Sequence, residues 1–150
     1  MDRKKKGAGY SGTPLVKKLG IKAGMTLAVL NRPDHYWELL GDLPAGLRSD
    51  SSPPFDFIHI FTTARAELED ELPRLRGQIV PNGMIWVSWP KKAAKVTTDV
   101  TEDVVREIAL AHGLVDVKVA ALDAVWSGLK LVIRIKDRQR VTGDDQNRTL

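Results

Sequence analysis

The chain has no cysteine among its 150 residues. That absence excludes disulfides, thiolate catalysis and zinc or iron–sulfur centres held by cysteine. Histidine is also scarce: three residues, dispersed along the chain, do not compose a His-rich metal site. No metal or cofactor is expected on these grounds. No apolar run approaches the roughly 20 residues of a membrane-spanning helix. The charged N-terminus is not followed by the apolar stretch of a secretory signal. The expectation is a cytoplasmic protein without membrane contact. Aromatic residues make up only 6% of the chain. No aromatic-rich basic platform for nucleic acid is visible.

What is present is a globular composition, 43% hydrophobic and 28% charged, long enough for one domain with a sizeable core. The net charge of +4 is concentrated at the ends. Arg3, Lys4, Lys5 and Lys6 lead the chain, and Lys136, Arg138 and Arg140 lie near its close. Residues 1–9 therefore read as a basic disordered tail, 10–136 as a single α/β domain, and 137–150 as a polar disordered tail. Basic tails can hold a polyanion by counterion release. Short terminal charge runs are more commonly solvated, so nucleic acid is not the expected partner.

Gly7, Gly9 and Gly12 fit the G-x-G-x-x-G spacing of a dinucleotide loop. Such a loop must follow a strand, and only six largely charged residues precede Gly7. The glycines lead instead into a short helix, with Thr13 as cap, Pro14 at the first helical position and Gly20 as stop. The run MTLAVL, closed by Asn31 and Pro33, is strand-like. DHYWELLG predicts a helix capped by Asp34, with Trp37 and Leu40 on its apolar side. FDFIHIFTT alternates Phe57, His59 and Phe61 on one face with Ile58 and Ile60 on the other, the pattern of a strand buried on both sides. Leu68, Leu72, Leu75 and Ile79 draw one helical stripe, bent at Pro73. PNG is expected to turn the chain into the strand MIWVSWP. Thr101 caps a helix that stops at Gly113, and two alternating strands close the domain as an antiparallel pair. This order predicts a three-layer, Rossmann-like α/β fold with a mostly parallel sheet of about five strands.

The segments PPFDFIHIFTT, LPRLRGQIVPNGMIWVSWPKK and GLKLVIRIK together resemble the C-terminal half of a class I S-adenosylmethionine-dependent methyltransferase. LVKKLGIKAGMTLAVL resembles that family's lead into its first strand. The family has an acid and a glycine-rich loop after that strand, which bind the cofactor. Here the strand runs into NRPDHYWELL, and too few residues separate it from PPFDF for the family's second and third strands. The resemblance implies a reduced methyltransferase fold and leaves a degenerate methyltransferase as one functional reading. GYSGTPLVKKLGIKAG, SWPKKAAKVTTDVTEDVVR and GLVDVKVAALDAVWSGLKLV also resemble DUF3052, a family of small bacterial proteins of unknown function. That resemblance implies no activity.

In open α/β sheets, ligands sit at the carboxyl ends of parallel strands. Those ends supply Asn31 and Arg32, Thr62 and Thr63, and Ser88 with Trp89, Pro90, Lys91 and Lys92. The SWPKK group offers a hydroxyl, an aromatic face and two ammonium groups for an anionic or phosphorylated ligand. Tyr10, Ser11 and Thr13 would join it if the N-terminal arm crosses the same edge. His59, mid-strand, reads as a core histidine rather than a base, and His112 as a helix C-terminal residue favoured by the dipole. Glu67, Glu69, Asp70 and Glu71 read as a solvated surface. Trp126, Ser127 and Gly128 read as the hairpin connection, with Trp126 a possible subunit contact. No nucleophile elbow is visible. The functional expectation is a non-catalytic domain binding a small anion or a protein partner, with polyanion binding through the tails a third reading.

Overall fold

The computed structural model describes residues 13–49 and 52–138. The elements are α1 (Leu15–Leu19), β1 (Leu27–Leu30), α2 (Tyr36–Leu40), β2 (Phe55–Phe61), α3 (Arg65–Arg76), β3 (Ile79–Pro90), a 3-10 turn (Lys92–Ala94), α4 (Glu102–Ala111), β4 (Leu114–Ala121) and β5 (Trp126–Ile133). They build a five-stranded sheet in the order β1-β2-β3-β5-β4. β1, β2 and β3 run parallel, and β5 pairs antiparallel with both β3 and β4. The expected α/β layering and closing hairpin are therefore present.

Alternation along β2 and β3 explains why both faces need cover. Ile58, Ile60, Ile85 and Val87 join Leu68, Leu72 and Leu75 of α3 and Val105 and Ile108 of α4 in one core. Phe57, Phe61, Met84 and Trp86 point the other way and pack with Val16 and Leu19 of α1 and Tyr36 and Leu40 of α2. Trp86 is fully buried, and its indole N–H donates to the Leu19 carbonyl at 2.8 Å, tying α1 to the sheet.

Several local expectations shift. α1 begins at Leu15 and takes Pro14 as its cap residue, because Pro14 is extended at ψ 144°. Gly20 ends the helix in the left-handed region at φ 86°. In α2 the buried pair is Tyr36 and Leu40, one turn apart, and no side chain caps its start. The PNG segment does not turn the chain; it is an irregular part of β3, where pairing with β2 shifts between Phe55↔Ile79 and Phe57↔Met84. Gly83 permits that irregularity, since a Cβ there would meet the Asp56 carbonyl at 3.0 Å. Ile79 accordingly belongs to β3 rather than to the α3 stripe. Thr101 does cap α4, accepting from the Val104 N–H at 3.2 Å.

β1 lies at the edge of the sheet. Just before it, Thr26 forms a parallel bridge with Arg48, and the Leu27 N–H donates to the Arg48 carbonyl at 2.7 Å. β1, β2 and β3 follow one another without reversal of strand order. No helix among the described residues is long and apolar enough to cross a membrane.

Candidate functional site

The carboxyl ends of β1, β2 and β3 share one edge, as parallel strands require. At the tip of β1, Asn31 takes a left-handed conformation at φ 57°. Its amide group donates to the Phe61 carbonyl at 2.9 Å and to Glu67 at 3.1 Å. Thr62, at the tip of β2, donates to the same Glu67 carboxylate at 2.5 Å. Glu67 is thus no solvated surface acid: it stands in the first turn of α3 and holds two strand tips together. The signal was its place one turn into a helix that directly follows a strand end.

Beside these tips, α2 fills the space above β1 and β2. Tyr36 is fully buried, edge-on to Phe61 and His59. Its hydroxyl lies 2.9 Å from His59 Nδ1, and His59 Nε2 lies 2.8 Å from the Ser88 hydroxyl. All three side chains are inaccessible to solvent. Burial pushes the His59 imidazole down to about 3 and pushes the Tyr36 phenol up, so both are neutral at ordinary pH. In a neutral imidazole one ring nitrogen donates and the other accepts, which satisfies both hydroxyls. No substrate atom reaches Ser88, and this chain is a structural clamp. His59 is the core histidine its mid-strand position suggested.

A second histidine pair escaped the sequence reading. His35, just before α2, meets Asp123 of the β4–β5 connection at 2.9 Å. The other Asp123 oxygen accepts from the N–H groups of Val125 and Trp126, each at 2.8 Å. Burial alone would raise this carboxyl; His35 and the two N–H groups outweigh it and hold it below its usual value. The local cue was an Asp two and three residues before Val125 and Trp126, the geometry of an Asx turn. Trp126 packs edge-on to Phe61 at 5.0 Å.

β3 ends differently. Trp89 is buried on the α3–α4 side, while Lys91 is half-buried and Lys92 exposed. Together with Pro90, Val96, Val100 and the threonines Thr98 and Thr101, they line an open hollow of about 440 Å³. Thr98 already donates to the Thr63 carbonyl, and Thr101 is committed to its helix cap. Among the described residues no ion pair engages Lys91 or Lys92. The structure therefore brings Trp89, Lys91 and Lys92 together, sets Asn31 and Thr62 into their own network, and turns Ser88 into the core. Thr13 lies before α1, and Tyr10 and Ser11 fall outside the described residues. No group of three or more His, Asp or Glu side chains among the described residues could hold a metal ion.

Comparison with solved structures places this architecture. A methyltransferase from Aquifex aeolicus that depends on S-adenosylmethionine superposes on 80% of this chain and 88% of its own, with a TM-score of 0.53 at 15% identity. The fold is methyltransferase-like. Magnesium protoporphyrin IX methyltransferase from Synechocystis PCC 6803, solved with S-adenosylmethionine bound, matches 80% of this chain and 74% of its own, with a TM-score of 0.51 at 9% identity. At such identities the likeness concerns the fold alone. No family model and no curated protein matches the sequence. Within the methyltransferase-like fold, β1 is followed by Asn31, Arg32 and Pro33 rather than by glycines, and Arg32 lies over the Trp37 ring at 5.6 Å. The Asn31 amide at the β1 tip is thus directed at protein groups.

Proposed function

We propose that this chain is a non-catalytic binding domain of methyltransferase-like fold, with its ligand site at the end of β3 rather than of β1. The observation that supports it is the hollow beside Trp89, where Lys91 and Lys92 have no carboxylate partner among the described residues. Two ammonium groups beside an aromatic wall suit a small anionic ligand, a phosphorylated metabolite above all. The hollow lies within the roughly 300–1,000 Å³ range of small-molecule sites.

A second reading, a reduced methyltransferase, draws on the structural neighbours. It requires a cofactor to enter where Asn31 now bonds to Glu67 and where Tyr36 bonds to His59. Membership of DUF3052 is a proposal carried by the sequence resemblance, and polyanion binding through the basic ends rests on Arg3, Lys4, Lys5, Lys6 and Arg140, outside the described residues, together with Lys136 and Arg138.

A thermal-shift screen of phosphorylated metabolites tests the primary reading. A ligand at a hundred times its dissociation constant adds about 2.7 kcal/mol, an easily read shift. Lys91→Ala with Lys92→Ala is expected to weaken any such ligand about tenfold, a change of about 1.4 kcal/mol. Unchanged affinity in that double variant removes the proposed site.

A further inference from the structure

A second hollow, of about 560 Å³, lies on the opposite side of the sheet beside α1. Val16, Ile21 and Leu43 supply apolar lining, and Lys17, Lys22 and Asp42 supply the charged lining. Leu43 is 45% exposed, although it is a large apolar side chain. Behind Lys22 the positive charge continues into the sheet. Lys118 and Lys130 stand directly opposite each other on β4 and β5, an arrangement that costs stability when both are charged. Lys118 donates to the Lys18 carbonyl at 3.1 Å, which draws this charge against the end of α1. Burial, then Lys118 and Lys22, push the Lys130 ammonium below its usual value. None of Lys17, Lys22, Lys118 and Lys130 takes part in an ion pair among the described residues, and Asp42 is within 4.0 Å of no basic group there.

We propose that this hollow binds an organic anion with an apolar body and a phosphate head, the body against Val16, Ile21 and Leu43 and the head at Lys17 and Lys22. The chemistry follows from the division of the surface. An apolar wall without the lysines would take a neutral hydrophobe, and the lysines without the wall would take a bare ion; their adjacency selects a molecule carrying both. Lys118 and Lys130 raise the local positive potential, and a bound dianion relieves their mutual repulsion. The site differs from the β3 hollow in its face of the sheet, and its apolar wall is aliphatic where the β3 hollow has Trp89.

The test uses 1-naphthyl phosphate, titrated into the full chain by calorimetry. Saturable one-to-one binding at this hollow is expected, with 1-naphthol and inorganic phosphate each at least about tenfold weaker. Lys17→Gln combined with Lys22→Gln, both at exposed positions, is expected to weaken 1-naphthyl phosphate about tenfold. Lys136→Gln, at an exposed position that lines neither hollow, leaves it within about twofold. Equal affinity for 1-naphthol overturns the proposal, as does an unchanged Lys17/Lys22 variant, a loss confined to Lys91→Ala with Lys92→Ala, or no saturation below about 10 mM.

Discussion

Lowering the pH from 6.5 toward 3 is expected to remove on the order of 4 kcal/mol of stability through His59 alone. The unfolded imidazole titrates near 6.5, whereas burial holds the folded one down to about 3. Below pH 6.5 the unfolded state therefore takes up a proton that the native state refuses. The contribution is fully present above the unfolded value and is lost progressively until the folded value is reached. Carboxylates add their own acid sensitivity, so the measurement is a difference. Urea denaturation of wild type and of His59→Gln across this range should give stability curves that converge as the pH falls. A constant gap between the two would show that His59 is not held neutral by its surroundings.

Trp86→Ala should cost about 3–5 kcal/mol, a large share of the 5–15 kcal/mol typical of a native domain. The indole is fully buried between α1 and the sheet. Its removal opens a cavity and also strands the Leu19 carbonyl that it now satisfies. Gly128 sharpens the effect, since a Cβ placed there would meet the Trp86 ring at 3.1 Å and the Ser88 hydroxyl at 3.1 Å. Space on this face is thus already closely filled around the ring. Trp86→Phe keeps much of the apolar burial and loses the hydrogen bond, so it should fall between wild type and the alanine variant. Denaturation midpoints measure all three, and a loss below about 1 kcal/mol for Trp86→Ala would contradict the packing described.

Much of this fold was legible because its signals are periodic. The alternation of Phe57, His59 and Phe61 against Ile58 and Ile60 is a local property of a strand covered on both sides, and the two cores divide as it implied. The Thr101 cap and the closing antiparallel pair were equally local, but Trp126, Ser127 and Gly128 open β5 rather than form its connection, because they pair with the end of β3. PNG misled because glycine and proline mark both turns and strand irregularities; only the neighbouring β2 backbone, absent from a one-dimensional reading, decides between them. Glu67 reads as surface charge in the sequence because its partners, Asn31 and Thr62, come from two different strand ends. The His35–Asp123 pair spans 88 positions. Such contacts exist only once the sheet has brought its carboxyl ends together. The lysines of SWPKK were readable as a cluster because they adjoin in sequence, whereas Lys22, Lys118 and Lys130 became one only through the fold.

In this methyltransferase-like fold the protein's own side chains occupy the tip of β1. Titration of S-adenosylhomocysteine into the protein by calorimetry addresses this most directly. No saturable heat is expected up to about 1 mM, because Asn31 bonds to Phe61 and Glu67 and Tyr36 fills the adjoining space. Binding in the micromolar range, weakened by substitutions at Asn31 and indifferent to Lys91→Ala with Lys92→Ala, would contradict that expectation and favour the reduced methyltransferase.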